Sequence, residues 1–357
     1  MISFIIFLIS SLVFQKKDEK KIEDIAFIFY EYSISLCLKI GHLNNKILKY
    51  LLLLICSPYV IIRCLFLIIY ETTIGSLIIK RKIREDRKTQ FKYLLSIVAI
   101  VKDEAPYIRE WVSYYLVACN YNVHFYIYDN GSEDGTKNQI SDFISKGYIT
   151  YIDFPGVKMQ LPAYEKAIKD YKDETKYMAF IDADEFIVAT NDNNLTDYIV
   201  KTIENNPKAS GLGINWKIYG SSGHKNKQDG LVTELFNKRS NEEHFGNTHI
   251  KTICNPRMVT KYISCHFPKY KYGTYSISPD GKRQRLWWNK KVDWSNASIH
   301  HYFCKSEEEF WIKQKRGMAD RNDRYSIDRF LQYDANEVFD DEMKRYINQV
   351  KELINNN

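Results

Sequence analysis

Four short apolar runs, 94–101, 123–128, 148–154 and 177–181, recur along the chain, with helix-like stretches at 106–119, 134–146 and 160–171 between them. A short apolar run without a 3.6-residue period reads as a buried strand. Strands that alternate with helices restrict the fold to a mostly parallel sheet with helices on both faces. Pro106 stands early in its helix, where its missing N–H costs nothing. Gly147 follows 134–146 as a C-cap. In sheets of this kind ligands bind beyond the carboxyl ends of the strands.

Each of the four strands ends in polar groups. The first runs into Lys102-Asp103-Glu104 and the second into Asp129-Asn130-Gly131-Ser132. Lys158 and Gln160 follow the third, and Asp182-Ala183-Asp184 follows the fourth. Asp182 and Asp184 would point the same way if their strand continued, because strand side chains alternate. Carboxylate oxygens suit hard cations such as Mg2+ or Mn2+. Taken singly, each stretch also reads as a solvated polar loop. Together on one edge they offer carboxylates for a base and ribose, basic residues for phosphate, and a metal pair.

The net charge of +7 suits an anionic partner: a membrane surface, a nucleotide phosphate or nucleic acid. No nucleic-acid recognition motif accompanies it. The seven cysteines are odd in number and contain no C-x-x-C, and several sit in apolar runs. They read as reduced, packed thiols rather than a disulfide framework or zinc site.

The first 90 residues differ in character. Residues 1–14 are apolar but short for a span, with neither a basic leader nor a clear cleavage site. They read as a buried or interfacial helix, or as a short anchor. Residues 50–70 have about the length that crosses a hydrocarbon core, although Pro58 and Arg63 interrupt them. Lys80, Arg81, Lys82, Arg84, Arg87 and Lys88 follow. If the run spans, the positive-inside rule places the C-terminal domain in the cytoplasm. If it lies flat, the same basic stretch meets anionic headgroups. A core helix is the alternative. The expected layout is an N-terminal hydrophobic and basic membrane-associating region over 1–90, a catalytic domain over 91–345 and a polar tail over 346–357.

Three segments carry a resemblance. They are Val101-Lys102-Asp103-Glu104 with Tyr107-Ile108-Arg109-Glu110-Trp111, Tyr126-Ile127-Tyr128-Asp129-Asn130-Gly131-Ser132-Glu133-Asp134-Gly135-Thr136, and Phe180-Ile181-Asp182-Ala183-Asp184-Glu185-Phe186. Asn215-Trp216-Lys217-Ile218-Tyr219-Gly220-Ser221-Ser222-Gly223-His224, His249-Ile250-Lys251-Thr252-Ile253, and His301-Tyr302 with Lys305-Ser306-Glu307-Glu308 continue it in order over roughly 95–340. The chain resembles glycosyltransferase family 92 and its bacterial relatives, within the family 2-like group.

The resemblance implies a glycosyltransferase type A (nucleotide-diphospho-sugar transferase) fold with a mostly parallel central sheet, preceded here by the N-terminal hydrophobic helices. It implies a metal-dependent, inverting hexosyltransferase that uses a UDP-sugar, with UDP-galactose one candidate. The acceptor would be a surface glycan or lipid-linked saccharide. Glu104 and Asp129 would hold the uracil and ribose, helped by Lys102, Asn130, Lys158 and Gln160. Asp182 would face the ribose or the metal, and Asp184 would ligate Mn2+ or Mg2+. His301 matches a C-terminal metal or diphosphate contact. Its neighbour His300 stands where the family more often has Asn, and adjacent residues of an extended segment point oppositely.

Ser306 and Glu309 form a capping-box pattern that opens a helix carrying Lys313, Lys315 and Arg316. Lys315 or Arg316 is expected over the diphosphate; a solvated basic face is the alternative. An inverting transferase needs a carboxylate base. Glu234 is the first candidate and Asp229 the second. His249 and Lys251 are expected at the acceptor or diphosphate, and Trp287, Trp288 and Trp294 form a sugar-stacking wall or pack in the core. The competing readings are a sugar-1-phosphate nucleotidyltransferase and a non-catalytic glycan-binding membrane protein. The first normally has a Gly-rich, Arg-containing loop where Lys102-Asp103-Glu104-Ala105-Pro106 stands. Carboxylates at the strand ends argue against the second.

Overall fold

A computed structural model describes residues 74–284, 288–289, 291–316 and 326–355, with isolated positions between 58 and 69. Run 1–14 and most of run 50–70 therefore lie outside the described residues. Among those described, no helix is long and apolar enough to cross a membrane. The chain divides into two compact units, Met1–Lys82 and Ile83–Asn357.

The second unit is a mixed α/β structure built on a nine-stranded sheet. Strands β1 (Tyr93–Val101), β2 (His124–Asp129), β3 (Ile149–Asp153) and β4 (Thr175–Phe180) lie in the order β3-β2-β1-β4, all parallel. Near-continuous apolar sequences such as that of β1 suit strands covered on both faces. The Ser96 hydroxyl in the middle of β1 is satisfied by Thr175 Oγ1 at 2.9 Å. The sheet then continues through β8 (Ile250–Cys254), β6 (Ala209–Ile218), β12 (Ala297–His301) and β5 (Glu185–Ala189). Strand β8 is antiparallel to both its neighbours, β12 is parallel to β6, and β5 is antiparallel to β12. Strand β11 (Tyr275–Ile277) pairs with β6, and two ribbons stand apart: β9 (Val259–Ser264) with β10 (Phe267–Tyr270), and β7 (Lys238–Arg239) with β13 (Val338–Phe339).

Helix α1 (Ile74–Lys88) leads into this unit, and its end is fastened there by Arg87, which donates to the carbonyls of Ile203, Glu204, Asn206 and Ala209. Helix α2 (Ile108–Ala118) follows β1. The stretch expected as one helix over 134–146 is instead a turn, a 3-10 turn at Asn138–Ile140 and the short helix α3 (Ser141–Ser145). Asp134 explains the difference. Its carboxylate accepts from Thr136 N, Thr136 Oγ1 and Ala105 N, which serves a loop rather than a helix. Helix α4 (Gln160–Tyr171) has the expected bounds. Helices α5 (Leu195–Glu204), α6 (Val232–Leu235), α7 (Glu307–Arg316), α8 (Ile327–Tyr333) and α9 (Lys344–Asn355) complete the unit. The last occupies most of the stretch expected as a polar tail, and buries Tyr346 and Val350.

Strand β5 ends the sheet, and among the described residues one of its edges has no strand partner. Helix α2 covers it. Trp111 Nε1 and Tyr115 OH donate to the Glu185 carbonyl, Tyr115 OH accepts from Ile187 N, and Tyr114 OH donates to the Ile187 carbonyl. Aromatic side chains thus replace the missing strand and fix the turn between β4 and β5.

Candidate active site

The turn 181–184 joins the end of β4 to the start of β5, and two other elements close around it. Strand β12 runs between β6 and β5 and ends with His301 opposite Glu185. The Tyr302 amide donates to the Asp184 carbonyl at 2.9 Å. His301 Nε2 lies 3.6 Å from Asp184 Oδ1, and Lys313 Nζ of α7 donates to Asp184 Oδ2. His300 points the other way, to Glu342 at 3.2 Å. The strand geometry therefore gives the site one imidazole of the pair.

Asp182 is held from two sides. Lys251 Nζ on β8 donates to its Oδ2 at 2.7 Å, and Gln160 Nε2, at the start of α4, donates to its Oδ1 at 3.0 Å. Glu185 completes the cluster. Its Oε2 accepts the Asp182 amide at 3.0 Å and lies 3.7 Å from Lys251 Nζ.

Burial and charge set the protonation states. Burial alone would raise the Asp184 pKa, but Lys313, then His301 and Lys305, hold it well below the usual carboxylate value. Burial drives Glu185 well above its ordinary value against the opposing pull of Lys251. Burial would depress Lys251, yet Asp182 and Glu185 raise it well above the usual lysine value. Burial also lowers His301, against the pull of Asp184, so its imidazole is neutral at neutral pH. The ammonium in direct contact with the Asp184 carboxylate is that of Lys313. Among the described residues, no three His, Cys, Asp or Glu side chains are gathered as a ready-made metal cage.

The strand ends beside this cluster form a second group. Asp129 is buried, and its Oδ1 accepts from Ser132 N at 2.9 Å and Ser132 Oγ at 2.6 Å. The loop after β1 is tied to the loop after β2. Asp103 N donates to Ser132 Oγ, Glu133 N to Asp103 Oδ1, and Glu104 N to Thr136 Oγ1, each at 2.9 Å. Glu104 is buried there, and Asn130 N donates to the Val101 carbonyl. Asp103, Lys158, Ser222 and Lys305 all take positive φ in loops. Left-handed backbone at non-glycine residues is strain of the kind that collects at functional sites.

The other expected residues lie as follows. Lys102, Lys158, Asp229 and Lys315 are exposed. The side chain of Arg316 falls outside the described residues. Lys251, expected at the acceptor, is buried on Asp182 and Glu185, whereas His249 is half-buried and stacks on Trp216 with ring centroids 5.1 Å apart. Glu234 is exposed and pairs with Lys351 of α9 at 2.6 Å. Trp294 donates to the Trp216 carbonyl and has Lys217 and Arg239 against its ring. Trp288 is exposed, and Trp287 lies outside the described residues. The capping box forms: Ser306 N and Oγ donate to Glu309 Oε2, and Glu309 N donates back to Ser306 Oγ.

Lys313, Glu185 and Trp216 were not singled out as site residues from the sequence. Lys313 carries a signal, since it shares a helix with Lys315 and Arg316. Glu185 directly follows the acidic pair. Trp216 packs 4.3 Å from the His301 ring and 5.1 Å from that of His266, contacts that only the tertiary structure creates.

The model of glycosyltransferase family 92 matches residues 95–340. A family 92 protein of Arabidopsis thaliana is 28% identical over 104 residues, 29% of this chain and 18% of the relative. One from Oryza sativa subsp. japonica is 25% identical over 142 residues, 39% of this chain and 24% of the relative. The matches thus span less than a quarter of these relatives' own length. Among solved structures, Staphylococcus aureus TarS 1-349 in complex with UDP overlaps 46% of this chain and 47% of its own at 15% identity and a TM-score of 0.32. The Pyrobaculum calidifontis mannosyltransferase PcManGT in complex with GDP-Man and Mn2+ overlaps 43% and 46% at 14% identity and a TM-score of 0.28. Overlaps this slight carry no residue roles across. The family match covers well over half of the chain, and the chain belongs to glycosyltransferase family 92.

Proposed function

We propose that the protein transfers a hexose from a UDP-sugar to a glycan or lipid-linked saccharide, with inversion and with a divalent cation. The reading rests above all on the meeting of Asp182, Asp184 and His301 with Lys251 and Lys313 at one edge of the sheet. The donor chemistry suits Mn2+ or Mg2+: Asp184 offers carboxylate oxygen, His301 a neutral imidazole, and the ammonium of Lys313 stands where a cation would be held. A bound cation would offset the charge that develops on the diphosphate leaving group.

The chain's own residues supply the rest. Glu104 and Asp129 would take the uracil and ribose, at strand ends next to the carboxylate turn. Lys251 and Gln160 hold the Asp182 carboxylate in one orientation, so it need not reorganise when donor binds. Glu234, with Asp229 second, would accept the proton of the attacking hydroxyl. To do so Glu234 must leave Lys351. Membrane attachment through the first 90 residues fits the exposure of Ile62, Phe66, Ile69, Leu77 and Ile78 ahead of the basic run that begins at Lys80. If residues 50–70 span, the positive charge that follows them would place the catalytic unit in the cytoplasm.

The test is UDP-sugar hydrolysis by the full chain with Mn2+, compared with Asp184→Ala. Metal-dependent cleavage of at least one UDP-sugar, lost in the variant, supports the reading. A sugar phosphate and NTP joined by the same protein would support a nucleotidyltransferase instead.

A further inference from the structure

Both carboxylates of the Asp182-Ala183-Asp184 turn carry an ammonium group, but the two lysines are mounted differently. Lys251 comes from a central strand, and its side chain has no exposed surface. It serves two carboxylates, Asp182 and Glu185. Lys313 comes from the last turns of α7 and keeps 18% of its side chain exposed. The opposite end of α7 is the anchored one. There the Ser306–Glu309 capping box is itself held by Tyr107 OH, which donates to Glu309 Oε1 at 2.7 Å. One ammonium is therefore a fully buried part of the sheet, and the other sits on a partly exposed side chain near the C-terminal end of a helix.

A divalent cation on the Asp184 carboxylate would meet the Lys313 ammonium at the same group. Two cations at one carboxylate repel strongly in a buried site. We propose that Lys313 is a built-in competitor for the cation at Asp184. Lys313 holds the Asp184 carboxylate that would take the cation, and a bound cation would displace its ammonium toward the donor's diphosphate. The inference rests on the donor-site reading above and goes beyond it by assigning Lys313 two successive partners. Linkage makes the competition reciprocal: whatever Lys313 costs the cation, the cation costs the Lys313–Asp184 pair.

The test uses the full chain and Mn2+ alone, with free Mn2+ followed by electron paramagnetic resonance. Lys313→Gln should bind Mn2+ about tenfold more tightly than the parent, within the usual range of coupling between two ligands. Lys313→Arg, which keeps the cation, should not. In the parent, Mn2+ should raise acylation of Lys313 by an amine-reactive ester, read by peptide mass spectrometry, while Lys251 stays protected. Circular dichroism checks that the variants fold. Equal or weaker Mn2+ binding by a folded Lys313→Gln, or labelling of Lys313 that ignores Mn2+, overturns the competitor. If neither parent nor variant binds Mn2+, the competitor also falls. UDP titrated into the same metal-free samples then decides the donor-site reading separately.

Discussion

Lys251 Nζ lies 2.7 Å from Asp182 Oδ2 and 3.7 Å from Glu185 Oε2, and none of its side chain is exposed. The pair joins strand β8 to the turn that carries the acidic residues, so fold and site share one contact. Removing one partner of a buried pair strands the other charge. Lys251→Met should cost about 3 kcal/mol, the low end for such losses, because Asp182 keeps 32% of its side chain in solvent. Urea denaturation of the variant measures it. A change under about 0.5 kcal/mol would mean that the pair does not hold the turn in place.

Tyr115 is the second support of the same turn. Its hydroxyl donates to the Glu185 carbonyl and accepts from Ile187 N, both at 3.0 Å. Tyr115→Phe leaves two buried backbone groups without that partner, at a cost of roughly 1–3 kcal/mol. Amide hydrogen exchange should show Ile187 losing protection more than residues of β1. Uniform loss across the sheet would contradict the local role.

Acid stability should depend on Asp184. Its folded pKa is depressed, so its contribution is fully present above the unfolded value of about 4 and is lost as pH falls through the folded value. Asp184→Asn removes that part of the acid slope. Denaturation midpoints of parent and variant, followed from neutral pH down to about 2, should therefore converge as the pH falls. Curves that stay parallel would show that the Asp184 carboxylate has no special ionic environment.

Glu110 links α2 to the segment with the candidate base. Buried in the interior, it accepts from Val232 N at 2.7 Å, Thr233 N at 2.9 Å and Thr233 Oγ1 at 2.8 Å. Glu110→Ala should destabilise by about 2 kcal/mol, as expected for lost hydrogen bonds to a carboxylate. It should also raise KM for the acceptor more than for the donor, because it loosens 232–235 rather than the carboxylate turn. An equal rise in both would place Glu234 away from the acceptor.

The parts of this structure visible from sequence alone were those set by local pattern. Helix α4 and strands β1 to β4 follow from apolar runs and their breaks, and the parallel order makes neighbours of the polar groups at 102–104, 129–132, 158–160 and 182–184. The hidden parts were set by long-range pairing. Nothing local indicates that the 297–301 run inserts between β6 and β5, yet that insertion places His301 beside Asp184. Lys313 rather than Lys315 reaches the carboxylate because two residues turn a helix side chain through about 200°, to the opposite face. The C-terminal helix falls where a polar tail is expected: Tyr346, Val350, Leu353 and Ile354 recur at helical spacing, but the polar residues among them mask the pattern.

The most direct test of the account is turnover of UDP-sugars by the full chain as Mn2+ is titrated, with Asp184→Ala alongside. The account predicts Mn2+-dependent release of UDP from at least one UDP-sugar, reduced about 100-fold or more in the variant, as when a principal electrostatic stabiliser is removed. UDP release that is absent for every UDP-sugar tried, or that is the same in parent and variant, would contradict it.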